Sequence, residues 1–389
     1  MRSVLCSAGG VLLAAIVVSS TGQAAGPSKD GQFLFEKETF GGNGRTCRTC
    51  HSELTGTVSP QDAATRLALN PHDPLFSHDG SDDGLGSGTT RMLKDATVLI
   101  NIPLAANVTL ADDPTARSVV LRRGIATTLN TPALDPVLML DGRQPTLDAQ
   151  AAGAIHDHAQ GVSPSATDLR LIAQFQTTDA FFSSAALRSF FRRADRTPGD
   201  KGPPLPQGIT ASEKRGRRFF EDVPPSFDEG FKPGLCSHCH SGPLLNQTNE
   251  FAGDFIQLPL EAGIRFMGVG VSEFNVADNP KRVFVFDAGT PQETRVLSPD
   301  PGRALITGIS PVVRSPEDAA LQLQNVNAFK ISPLRGIRRT APYFHDNSAK
   351  TLEAVAAHYT LFFNIVTQGA IALTVQDEAD LVAFMKLLD

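Results

Sequence analysis

The sequence predicts a mainly α fold, arranged as two related modules with long loops and a few short β segments. Three observations predict it. The pattern C-x-x-C-H occurs twice, at Cys47–His51 and Cys236–His240, each time after a short amphipathic stretch. Apolar residues recur at helical spacing in several other segments. The 33 Gly and 27 Pro make up about 15% of the chain, above ordinary usage, and call for long connections. The length of 389 residues suits two domains.

At the N-terminus, Arg2 is followed by the apolar run Val11–Val18 and the small residues Gly22-Gln23-Ala24-Ala25. This predicts a secretory signal peptide over 1–25, with Cys6 inside it. The apolar run is short for a membrane span, so the expected mature protein is soluble and exported to the periplasm, without stable membrane insertion. The net charge of −6 argues against a nucleic-acid partner and hints at a basic protein partner. With no Trp in the chain, a tryptophan radical relay is excluded.

The first module is expected over 26–200. A helix at Gly31–Glu36 leads through the Gly-rich approach Gly41–Arg45 into Cys47-Arg48-Thr49-Cys50-His51. Two thiols three positions apart can each form a thioether to one porphyrin, and the adjacent His is then presented to the iron. Cofactor-binding residues are therefore Cys47, Cys50 and His51. Residues of about 56–125 read as an expanded loop. Within it, His72 and His78 are candidate reversible iron ligands or turn residues, and the acidic run Asp79–Gly84 reads as a solvated loop. Helices are expected at Asp168–Phe175 and Ala180–Phe191, and Thr197–Pro204 is the best linker.

The second module, 201–389, repeats the plan. Ser212 with Glu213 can start a helix, and Gly216 in it would allow close helix–haem packing. Gly216–Glu221 leads into Cys236-Ser237-His238-Cys239-His240, where Cys236, Cys239 and His240 bind the second haem and His238 faces away. Short β pieces are expected in 253–300, notably Arg282–Phe286. Thr351 caps a helix to about Phe363, and Asp377–Leu388 forms the last one. Two disulfides, a zinc site or a thioredoxin-like pair also use such cysteines. The first does not require His after each pair, the second is at odds with the wide separation, and the third lacks its βαβ context. Two covalent haem c groups follow.

The chain resembles the bacterial dihaem cytochrome c peroxidases and their relative MauG. The resemblance rests on both haem motifs, Leu140-Asp141-Gly142-Arg143 with Leu147-Asp148-Ala149-Gln150, Ser332-Pro333-Leu334-Arg335 and Ala341-Pro342-Tyr343-Phe344-His345-Asp346. It implies two cytochrome c-like modules: a peroxidatic haem on His51 and an electron-transfer haem on His240. It also implies a calcium ion between them, near Ile331 and Pro333. Gln150 and Gln160 match catalytic positions, but the family carries Glu where Gln160 stands, and an amide hydrogen-bonds without shuttling a proton. His156 and His158 lie close enough to compensate, or are surface or capping histidines. Leu140 replaces an inter-haem Trp. Tyr359, seven residues after Leu352, matches the distal iron ligand of the second haem, with His358 as its neighbour and alternative.

The expected function is a periplasmic dihaem oxidoreductase acting on hydrogen peroxide. It either draws electrons from a donor cytochrome or small copper protein, or oxidises a substrate as MauG does. A non-enzymatic dihaem electron carrier is the alternative, and a homodimer stays open.

Overall fold

A computed structural model describes residues 30–130, 135–162, 164–197, 200, 202–221, 236–289 and 293–388. The signal peptide expected over 1–25 and part of the expected linker lie outside the described residues. Among those described, no helix is long and apolar enough to cross a membrane.

Helix α1, Gly31–Glu36, starts at Asp30, whose carboxylate accepts the Phe33 N–H at 2.8 Å. The single turn α2, Cys47–Cys50, is set by reciprocal capping between Thr46 and Thr49. Next come α3, Pro60–Leu69, and α4, Thr90–Asp95. Strands β1, Thr97–Pro103, and β3, Ser118–Gly124, pair antiparallel, with β2, Val108–Leu110, between them in the chain. The region expected as a loop, 56–125, is thus a folded unit. Its signal was period-two alternation: Val98, Ile100 and Ile102 point to one buried face while Asn101 is exposed. Helices α5, Leu147–Asp157, α6, Ala166–Thr178, and α7, Ala185–Arg192, complete this half. The helix expected from Ala180 starts later, because Ser184 caps α7 by accepting the Leu187 N–H.

The second half runs through α8, Ala211–Glu221, α9, Cys236–Cys239, and α10, Ala252–Ile256. Then follow β4, Phe266–Met267, α11, Val271–Phe274, β5, Arg282–Phe286, and β6, Thr294–Ser298. The chain closes with α12, Ala304–Thr307, α13, Pro316–Leu323, β7, Phe329–Lys330, α14, Leu352–Val366, and α15, Val375–Met385. Thr351 caps α14 as expected, accepting the Ala354 N–H at 3.2 Å. Thr210 and Glu213 form the reciprocal cap at the start of α8, and Ser212 instead donates to Asp380 at 2.6 Å.

The halves share a sheet. β2 pairs with β5, which pairs with β6, so Phe284 and Phe286 complete the core built by Val98, Ile102 and Leu110. They also share an ion cluster. Arg123 on β3, fully buried, donates to Asp300 at 2.7 and 3.0 Å and to Asp141, which also accepts from Arg143 at 2.9 Å. Burial disfavours the charge on Arg123, but Asp300 and Asp141 together raise its pKa.

The two motif-leading helices are held alike. A Cβ on Gly31 would lie 2.1 Å from the Leu171 carbonyl oxygen of α6, and one on Gly216 would lie 1.9 Å from the Asp380 carbonyl oxygen of α15. Each helix therefore crosses a later one at backbone contact. This corrects the expectation for Gly216: its missing side chain makes room for α15, not for a haem.

Candidate functional site

Each C-x-x-C-H turn opens onto its own apolar cavity. Cys47, Cys50 and His51 line one of about 180 Å³, and Cys236, Cys239 and His240 line one of about 270 Å³. None of these four cysteines is joined in a disulfide. Burial pushes Cys47 and Cys239 up to about 12, so both stay protonated at neutral pH. The pairs stand in different cavities, and among the described residues no three His, Cys, Asp or Glu side chains gather into a metal cluster.

The two histidines repeat one geometry. His51 Nδ1 meets the Gly56 carbonyl at 2.8 Å, and His240 Nδ1 meets the Leu245 carbonyl at 2.9 Å. In both modules the acceptor lies five residues after the histidine. The contact makes Nδ1 the protonated nitrogen and leaves Nε2 with a lone pair. Burial, against these hydrogen bonds, lowers both imidazoles to about 4, so they are neutral at pH 7. The Ser332 carbonyl also lies beside the His240 ring. Two thiols three positions apart, one oriented neutral imidazole and an apolar chamber fit a covalently held haem at each site.

The cavities adjoin. Gly124, Ile125, Ala126, Thr127, Leu140 and Lys330 line both. Within this wall the Lys330 N–H donates to the Leu140 carbonyl at 2.8 Å. Lys330 Nζ pairs with Asp135 at 3.1 Å. Leu140, where an aromatic was expected from the resemblance, thus sits between the chambers and contributes its backbone as well as its side chain.

In the His51 chamber, Gln150 lines the wall from α5, on the same stripe as Ala151, Ala154 and Ile155. Gln160 does not line it; the residue is exposed and its side-chain oxygen accepts from Asn43 at 3.3 Å. His156 is exposed and pairs with Asp157 at 2.7 Å. His158 does line the chamber. Its Nδ1 hydrogen-bonds the Asp79 carboxylate. Asp79 is therefore buried rather than part of a solvated loop, and it also binds Arg45. His72 is exposed, and neither His72 nor His78 lines the chamber.

In the His240 chamber, Tyr359 lines the wall, and burial raises its phenol pKa. His358 lies outside the lining; its Nε2 meets the Val269 carbonyl at 2.7 Å. The helix thus separates the two candidates, as one residue's rotation requires. His345 also lines this chamber, buried and stacked on Phe329 at 3.6 Å and 6°. Ile331 and Pro333, implicated in calcium binding by resemblance, line the same chamber. His345 and Lys330 were not singled out as site residues from sequence. His345 sits in the quoted Pro-Tyr-Phe-His-Asp block, but only the fold gives it a role in the wall.

No family model and no curated protein matches the chain. Solved structures with similar backbones include a MauG-like protein associated with microbial copper homeostasis, 18% identical over 92% of this chain and 87% of that one, TM-score 0.47. The diheme peroxidase BthA from Burkholderia thailandensis is 15% identical over 92% and 84%, TM-score 0.41. Hydrazine synthase from Kuenenia stuttgartiensis is 16% identical over 98% and 100%, TM-score 0.38.

Proposed function

We propose that this chain is an exported, periplasmic dihaem c-type oxidoreductase that acts on hydrogen peroxide at the His51 chamber, with the His240 chamber as its electron relay. The observation that carries the reading is the repeated site: two C-x-x-C-H turns, each with its imidazole Nδ1 tied to a carbonyl five residues on, in chambers that share one wall.

Cys47 and Cys50, and Cys236 and Cys239, would form the thioethers, with His51 and His240 as proximal ligands. Haem bound in this way supplies an iron that exchanges single electrons and binds peroxide. The Gly56 and Leu245 carbonyls fix each imidazole and raise its donor strength. Gln150 presents an amide to hydrogen-bond peroxide in the His51 chamber. Tyr359, which lines the His240 chamber, would supply a hard anionic oxygen donor that favours the oxidised metal. The shared wall, through the Leu140–Lys330 hydrogen bond, is the path between the two. Reduction of one peroxide consumes two electrons and two protons and releases two waters. The electrons come from a donor cytochrome or small copper protein, or from a substrate oxidised in the manner of MauG.

Titrating the purified holo-protein with hydrogen peroxide, diferric and half-reduced, tests the reading by visible spectroscopy. A stoichiometric Soret change at micromolar peroxide is expected in at least one form. The placement of Gln160 outside the chamber favours a second reading, a non-enzymatic dihaem electron carrier. Silence of both forms toward peroxide would support it.

A further inference from the structure

We propose that His158, oriented by Asp79, is the proton-transferring residue of the His51 chamber. This inference rests on the peroxide-reacting reading above and names the group that handles its protons. Gln150, which lines the chamber, is an amide, and Gln160 lies outside it. A protic group is still needed: an amide cannot accept and return a proton near neutral pH, whereas an imidazole can.

His158 meets the requirements on position. It is the C-cap of α5, one turn beyond the Gln150–Ile155 stripe, and it lines the same chamber as His51 and Gln150. Its Nδ1 is engaged by the Asp79 carboxylate, and no protein partner of Nε2 is found among the described residues. This is the orientation a general base needs, with one nitrogen held by a carboxylate and the other facing the reactant.

Asp79 is itself fixed. It is 4% exposed, and Arg45, 2% exposed, binds it. Arg45 also donates to the carbonyls of Pro74 at 2.8 Å, Leu75 at 3.0 Å and His158 at 3.1 Å, and to Ser77. The guanidinium sits two residues before Cys47, so one buried cation ties the approach to the cysteine pair, the 74–79 segment and the end of α5 into a single unit. Against burial, His158 and Arg45 hold the Asp79 carboxyl below its ordinary value, keeping it an acceptor. Asp79 is a positioning residue, and His158 is the group that touches peroxide.

In the step, one peroxide oxygen gives its proton to His158 Nε2, and the imidazolium returns it to the other oxygen. The O–O bond breaks, its electron pair leaves on that second oxygen, and the oxygen departs as water. Two electrons, drawn from the donor through the haems the chain would hold, and two protons from solvent convert the remaining oxygen to the second water.

Cyanide is the second probe, because hydrogen cyanide must lose a proton to bind ferric iron. His158→Gln is expected to slow both peroxide consumption and cyanide association about 100-fold while leaving the resting visible spectrum unchanged. His158→Glu is expected to recover at least a tenth of the lost rate in both assays. Asp79→Asn should slow both, with a shift in the vibrational frequency of bound carbon monoxide. Unchanged cyanide association in His158→Gln would overturn the proposal while wild-type peroxide reactivity keeps the function standing. A change of resting spin state in His158→Gln would make His158 an iron ligand and also overturn it. If wild type binds neither peroxide nor cyanide, the chamber is closed and the functional reading falls with the inference.

Discussion

At the scale of single residues, the site divides by how the chemistry is encoded. Cys47, Cys50 and His51, and their counterparts at 236–240, were legible because the C-x-x-C-H pattern puts two thiols and an imidazole within five consecutive positions. Tyr359 was singled out through the resemblance rather than by any local pattern, and in the fold it lines the chamber wall while His358 bonds the Val269 carbonyl. Tyr359→Phe is expected to alter the spectrum of the His240 haem alone; an unchanged low-spin signal excludes it as ligand. Asp79 and His158 were harder to pair, since 79 positions of chain separate them and only tertiary packing joins them. The same holds for Arg123 with Asp300. Arg123→Met leaves two buried carboxylates without their shared cation and is expected to cost about 3–5 kcal/mol in urea unfolding.

At the scale of elements, the helices were read where caps and periodicity agreed, as at Thr351 and α14. The 56–125 region was misread because residues 104–117 separate the paired strands β1 and β3 and carry β2, whose own partner β5 is distant in sequence, so no tight turn announces a hairpin. The close helix crossings also escaped local reading, since a glycine reveals freedom but not what approaches it. Gly31→Ala and Gly216→Ala place a methyl within 2.1 and 1.9 Å of a facing carbonyl oxygen. Each is expected to destabilise its own half by about 1–3 kcal/mol, read as a lowered urea midpoint. The same substitution at Gly41, where a Cβ would meet nothing within 4 Å but the backbone has φ of +69°, should cost about 1 kcal/mol from backbone strain alone.

At the scale of the whole molecule, buried carboxylates set the acid limit. Asp79 and Asp141 lie below their ordinary value in the fold, held by His158 and Arg45 in one case and Arg123 and Arg143 in the other, against burial. Each therefore stabilises the fold above the unfolded-chain value of about 4, and that contribution is lost as pH falls through the folded value. Near-ultraviolet circular dichroism is expected to hold steady from about pH 5 to 7 and to collapse below about 4. Asp79→Asn should flatten the acid limb. The sheet that joins β2 to β5 has a consequence in time. Val108 must wait for Phe286, encoded far downstream, before the core containing both can close. A chain that emerges N-terminus first therefore presents its first half before Lys330, the one downstream residue in the lining of the His51 chamber, arrives to complete that wall, leaving an interval in which a large rigid ring could be fastened to Cys47 and Cys50 from outside.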